Sequence, residues 1–407
     1  MNFFSKNRVA FSLIVAALLL TFAVGSIFWA RGWKPNFKNR SIDRTGLLVV
    51  TSVPTGAEVY LNDRLSSATD TTIAYLDPKS YKIRIQKEGY STWEKEISIR
   101  ADLSTEIKAL LFPNAPEIKP LTTAGAANPL LSPDGGKIIY ATPGERGGIY
   151  VLAMSDRPFP FRNDPRQIAK NTQAYDFSKS FFLWSPDSSQ IIATFLDSAG
   201  TQTANLLLEV SRSDQDLRDI TAGLNSTLNS WQQEINTKAQ TQAVLAPDSV
   251  KTATEGAQAK SASPSPKLPD ASPAPNQNQV GVSPLASQLN YYPNGLIFSP
   301  DEEKILYKNG EDRYKVFDLK TDKEYTLPDP KDVHNISWFP DSNHFVIAQK
   351  DQVSIIEADG TNKMVVYSGK FENGFVFAHP SGQRIIILTS LTQPDGTPPN
   401  LYAVNLR

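Results

Sequence analysis

Hydrophobic and polar positions change rhythm three times along the chain. Residues 9–30 carry no charge and are bounded by Arg8 and Arg31. As a helix this run spans about 33 Å, against roughly 30 Å for a hydrocarbon core, so it predicts one transmembrane helix at 9–30 after a short basic tail at 1–8. Phe28, Trp29 and Trp33 stand where amphipathic rings favour the membrane interface. Residues 31–45 read as a polar linker. Beyond them period-two alternation takes over. It opens at residues 47–50, and in Tyr81-Lys82-Ile83-Arg84-Ile85-Gln86 the apolar side chains share one face and the polar ones the other, as in a half-buried antiparallel strand. Further strands are predicted at 96–99 and around 105–110, with turn-forming text such as Asp77-Pro78-Lys79-Ser80 between them, and the unit ends near Pro113.

The stretch Ser52-Val53-Pro54-Thr55-Gly56-Ala57-Glu58-Val59-Tyr60-Leu61, the strand at 81–85 and the downstream Gly89-Tyr90 together resemble a PEGA domain over about residues 46–112. The chain departs from that pattern with Thr55 inside the motif and Lys79-Ser80 where a glycine is common. The resemblance implies a small β-sandwich of envelope and surface proteins, with no catalytic residues. Turn chemistry alone reads Pro54 and Gly56 as a tight turn.

The third rhythm is a repeat. Leu131-Ser132-Pro133-Asp134, Trp184-Ser185-Pro186-Asp187, Phe298-Ser299-Pro300-Asp301, Trp338-Phe339-Pro340-Asp341 and Ala378-His379-Pro380-Ser381 each precede a short turn and an apolar strand. Proline presets φ for a type I turn and Asp favours it, so each segment is a strand, a turn and a returning strand. A third strand follows every pair, and a fourth follows in the first four repeats. Four antiparallel strands in about 40 residues make a propeller blade. These turns resemble those of TolB-like and WD-type propellers across 117–407. The last repeat lacks a fourth strand, whereas Glu117-Ile118-Lys119-Pro120-Leu121-Thr122 reads as an outer strand without a blade. The two are predicted to pair and close a ring of five. Between Pro186 and Pro300 the spacing grows, and 224–290 reads as a disordered insertion, rich in Pro, Ser and Ala. Within it, 224–238 has the spacing of a transient helix carrying Leu228, Trp231 and Ile235, a possible docking motif. The fold class is therefore all-β, with an N-terminal transmembrane helix, a small PEGA-like β-sandwich and a five-bladed β-propeller.

Charge and chemistry narrow the function. The 41 basic and 42 acidic residues nearly cancel and form no stripe interleaved with aromatics, which argues against a nucleic-acid partner. The absence of cysteine removes thiolate chemistry. There is no Gly-x-Ser-x-Gly elbow, Walker A loop or His-Glu-x-x-His helix. His334, His344 and His379 fall on different repeat positions, with His344 reading as a solvated strand-start residue and His379 replacing a turn serine; no metal or cofactor is expected. The repeated Asp134, Asp187, Asp301 and Asp341 read as turn residues, not as a catalytic pair.

The expectation is a non-catalytic envelope binding or scaffold protein, anchored in the membrane and presenting its propeller to a protein or glycan. Loops entering the blades carry Tyr175, Phe177, Tyr291, Tyr292 and Phe371 as the candidate recognition surface; the same rings would equally fill gaps between blades. The rival reading is a propeller enzyme acting on envelope polysaccharide, which would need carboxylates converging on the channel. Ala23-Val24-Gly25 offers a signal-peptidase site, but the apolar run continues past it, which favours a retained anchor. A count of flanking cations points the large portion inward. The short basic tail and the ease with which long domains translocate favour residues 31–407 outside the cytoplasm.

Overall fold

The computed structural model describes residues 8–30, 33–36, 41–154, 165–261, 289–328, 333–372, 374–391 and 398–407. The chain divides into two compact units, Met1–Asn114 and Ala115–Arg407.

In the first unit, α1 (Arg8–Ala30) includes an apolar window, Phe11–Phe28, with mean hydropathy 2.4 and none of it buried. It is long and apolar enough to cross a membrane, and a signal sequence meets the same description. The segment read as a linker holds a two-stranded hairpin, Trp33–Asn36 paired with Ser41–Arg44. Residues 37–40 lie outside the described ones. Next comes a sandwich of two sheets. One orders Thr71–Leu76, Gly46–Val53 and Ser104–Leu110, the last two parallel; the other orders Arg64–Ala68, Glu58–Leu61, Ser80–Gln86 and Trp93–Ser98. Tyr81, Ile83 and Ile85 are buried and meet Leu48, Val50, Val59, Trp93 and Ile107 in the core between the sheets. The Pro-Thr-Gly-Ala turn is tied by a buried knot. The Ser52 hydroxyl donates to the Pro54 carbonyl at 2.6 Å and lies 2.6 Å from the Thr69 hydroxyl oxygen, which accepts the Ala57 N–H at 2.9 Å. Gly56 sits at φ +70°, where a side chain would be strained.

The second unit is five four-stranded antiparallel sheets. Blade I is Ala127–Leu131, Lys137–Thr142, Gly148–Ala153 and Arg166–Lys170; blade II is Phe181–Trp184, Gln190–Leu196, Gln202–Glu209 and Arg218–Asp219. Blade III is Ile297–Phe298, Lys304–Lys308, Tyr314–Asp318 and Lys323–Thr326, and blade IV is Val333–Trp338, His344–Gln349, Gln352–Glu357 and Met364–Ser368. Blade V takes Val376–Ala378, Arg384–Thr389 and Asn400–Asn405 from one end of the domain and its outer strand, Ile118–Pro120, from the other. Ile118 pairs with Val404 and Pro120 with Tyr402. Proline is tolerated there because an outermost strand leaves half its N–H groups unpaired. The closure has its own buried clasp: Asn400 Oδ1 accepts the Thr122 hydroxyl and the Gly125 N–H, each at 2.9 Å.

Successive blades pack face to face. Leu131, Ile138 and Tyr140 of blade I meet Phe377, Ile386 and Leu401 of blade V, and another apolar cluster joins blade I to blade II. A third joins blade III to blade IV. Trp184 and Trp338 hold the same place in their repeats and do the same work. Each indole N–H donates to the inner strand of the preceding blade, to the Leu130 and Ile297 carbonyls.

Between blades II and III the expectation of a disordered insertion is overturned across 224–261. Residues 262–288 lie outside the described ones. Helix α2 (Leu224–Ala243) packs Leu224, Leu228, Trp231 and Ile235 against Leu183, Ile192 and Ile220 of blade II. Val250 of α3 (Asp248–Ser261), with Ala246 just before it, packs against Leu296, Ile305, Tyr307 and Phe317 of blade III. The facing surfaces of these two blades thus belong to separate clusters, each completed by the helical hairpin. Overall polarity concealed this because a helix needs only one apolar stripe to dock.

Candidate functional site

The repeated turns sit at one end of the ring. In blade I the Ser132 hydroxyl donates to Asp134 Oδ1 at 2.5 Å and accepts the Lys137 N–H at 2.9 Å, while Asp134 Oδ1 accepts the Gly136 N–H at 2.9 Å. Blades II and III repeat this with Ser185–Asp187 and Ser299–Asp301. The turns also touch across blades, since the Ser188 hydroxyl accepts the Asp134 N–H and the Ser342 hydroxyl the Asp301 N–H, both at 3.1 Å. Burial alone would push the Asp134, Asp187 and Asp301 carboxyls up. The serine hydroxyls and backbone N–H groups outweigh it and hold all three below the usual carboxylate range.

Blades IV and V depart from this chemistry, and the histidines fill the gaps. Phe339 replaces the turn serine in blade IV, and Nδ1 of His344 comes within 2.7 Å of Asp341 Oδ2. His344 is 4% exposed, which corrects its reading as a solvated residue: without the serine hydroxyl, the imidazole folds over the turn. In blade V, His379 takes the serine's place, with Nδ1 2.8 Å from the Ser381 hydroxyl. Among the described residues no group of three or more His, Asp or Glu side chains is placed to hold a metal ion.

The pairings Ser337↔Val346 and Asn335↔Ala348 put Asn335, Ser337 and His344 on one face of blade IV. That face looks to blade V, because Asn335 Nδ2 donates to the Val376 carbonyl at 3.1 Å. Asn335 Oδ1, Ser337 Oγ and His344 Nε2 are buried without a protein partner, three of four such atoms among the described residues. The joint between blades IV and V is therefore polar along this line.

The loops entering the blades lie at the end opposite the Ser-Pro-Asp turns. Phe177 is completely buried in the cluster between blades I and II, 5.6 Å from Phe195, and offers no surface; this corrects its place in the recognition set. Its ring seals the joint between two blades. Tyr175 is half-buried against the same Phe195 at 5.0 Å. Tyr291 is half-buried beside α2 and its hydroxyl donates to the Trp184 carbonyl, so it ties the entry of blade III back to blade II. Burial raises its phenol and pushes that of Tyr292 up to about 12, so both keep their proton near neutral pH. Tyr292, Pro293, Asn294 and Phe298 border a small cleft that Ala239 and Gln242 of α2 also line. Phe371 is half-buried and meets Tyr367 edge-on at 6.2 Å. The five aromatics therefore occupy three entering loops. Two features were missed from sequence: the contribution of α2 to the cleft and the polar line of blade IV, whose only signal was Asn335 and Ser337 at alternating positions.

No curated protein sequence matches the chain. Solved structures similar to it include a protein assigned as TolB from Agrobacterium tumefaciens, with 11% identity, a TM-score of 0.21, and coverage of 85% of this chain and 77% of that one. TolB from Acinetobacter baumannii gives 10% identity and a TM-score of 0.23, covering 86% and 63%. A luciferin-regenerating enzyme gives 10% and 0.31, covering 72% and 95%. The propeller assignment rests on the five sheets and their packing. The PEGA domain family model matches residues 45–114. With its motif turn, strand order and core in place, this segment of the chain is a PEGA domain.

Proposed function

We propose that the protein is a non-catalytic envelope binding or scaffold protein, held in the membrane by α1, with residues 31–407 outside the cytoplasm. The entering-loop end of its propeller meets a protein or glycan partner. One observation carries this reading. At that end the partly exposed rings of Tyr175 and Phe371 rest on Phe195 and Tyr367 and the partly exposed Tyr292 borders the cleft beside α2, whereas the repeated carboxylates at the other end are spent on their own turns. Rigid, backed aromatic rings give contact area at low entropic cost and dominate many interfaces.

The test is capture from membrane extract with the full chain in detergent as bait, beside a Tyr175→Ala, Tyr292→Ala, Phe371→Ala variant of unchanged circular dichroism. The expected result is an envelope protein or glycan held by the wild type and lost at least tenfold by the variant. Equal capture by both would overturn the assignment of this surface.

A further inference from the structure

The polar line of blade IV stands where two other joints use an indole. Leu130 and Ile297, whose carbonyls accept the N–H groups of Trp184 and Trp338, hold the place in their repeats that Ser337 holds in blade IV. Blade V has Ala378 at the position of those tryptophans, and a methyl group has no N–H to give. Blade V closes both ends of the line. A Cβ on Gly374 would stand 2.7 Å from that of His334, and one on Gly382 would stand 3.3 Å from the ring of Phe339, which is completely buried. Between these ends Asn335 is 8% exposed and His344 4%.

The other bonds of these side chains fix what they can still bind. Asn335 Nδ2 donates to the Val376 carbonyl, so Oδ1 is an acceptor. The Asp341 carboxylate accepts the His344 backbone N–H at 3.1 Å and Nδ1–H at 2.7 Å, so Nε2 of the neutral ring is an acceptor too. The Ser337 hydroxyl can donate. Side chains on one face stand about 7 Å apart along a strand and about as far on the diagonal to its neighbour. One small molecule making bonds of about 2.8 Å bridges such gaps.

We propose that blades IV and V enclose a binding site for one water molecule, which donates to Asn335 Oδ1 and His344 Nε2 and accepts the Ser337 hydroxyl. Two donors and one acceptor match this set, and three hydrogen bonds are what a buried water ordinarily makes. A metal ion fits it worse. The imidazole is the one strong ligand of the three, the Asp341 carboxylate is occupied by Nδ1, and Glu357, which pairs with His344 in the register, is bonded to Thr361 and Asn362 of its own turn. The water fills the space beside Ala378 that an indole fills in the joints of blades I with II and III with IV.

The direct test is a crystal structure of the full chain in detergent, at a resolution that shows ordered water and with anomalous data. The expected result is one peak about 2.7–3.1 Å from all three atoms and without anomalous signal. A peak about 2.0–2.3 Å from Nε2 with anomalous signal would be a metal ion and would overturn the water. No peak there would overturn the site. Thermal unfolding of the full chain gives an independent reading. Ser337→Ala keeps room for the water, whereas the added methyls of Ser337→Val take its place and leave Oδ1 and Nε2 unpaired. The expected midpoints fall from wild type to Ser337→Ala and further to Ser337→Val. A valine variant more stable than the alanine one, the order that strand propensity and apolar filling give in a dry joint, would overturn the proposal.

Discussion

Asp134, Asp187 and Asp301 serve their turns as acceptors, and that service depends on their charge. Their folded pKa values are depressed, so the stability they contribute is present above the unfolded carboxylate pKa of about 3.9 and is lost as pH falls through the lower folded values. A triple Asp→Asn variant should therefore unfold at a lower denaturant midpoint than the wild type near neutral pH. The gap should begin to narrow as pH falls below about 4 and close only once pH is below the folded values. Urea titrations across that range check it, and a gap independent of pH would mean that shape, not charge, makes the turn. The carboxylates were legible in the sequence because the turn is local: serine, proline and aspartate act on N–H groups within five residues. His344 was not, because its burial follows from Phe339 five residues earlier having no hydroxyl to offer.

The helical hairpin is the element on which the joint between blades II and III depends. Trp231 is 7% exposed and Val250 completely buried, on the two helices that complete the two blade faces. Trp231→Ala should lower the stability of the propeller by about 3–5 kcal/mol, as truncation of a large buried side chain does. Val244→Ser, at a position 79% exposed between the helices, should change it by less than about 0.5 kcal/mol. Thermal unfolding followed by tryptophan fluorescence separates the two cases; equal, small effects would mean that the hairpin is dispensable. Period two and repeated turns made the strands readable, since both signals lie within a few neighbours. The docking of α2 was hidden because its stripe is four residues among Asn, Ser, Gln and Thr, and because Leu183 and Ile192 lie in another part of the sequence. The aromatic rings of the entering loops were visible, but a ring that seals a joint and one that meets a partner look alike until burial is known. Phe177 and Tyr175, two residues apart, differ in just this respect: the first is completely buried and the second only partly.

The ring as a whole is held by a strand and a clasp that join distant parts of the chain. Thr122 and Asn400 are 278 positions apart. Asn400→Ala removes the acceptor shared by the Thr122 hydroxyl and the Gly125 N–H and leaves buried donors unpaired, at about 1–3 kcal/mol for each group. Hydrogen exchange should then speed up together in 118–120 and 400–405 while the sheet of blade IV stays protected; acceleration confined to one of the two strands would show that they do not open as a unit. The ordering of the blades and this closure were readable from the incomplete last repeat. The polar joint between blades IV and V was not, because a line of three side chains from two strands exists only once register is set. The clasp also has a meaning in time. During synthesis at about 5–20 residues per second, the first strand of the ring waits roughly 15–55 s for its partner to be made. Over that interval Leu131, Ile138 and Tyr140 of blade I have no blade V to cover them. A nascent chain of this design is thus exposed to aggregation longest at the place where its finished ring is joined, and a holding chaperone would have most to do there.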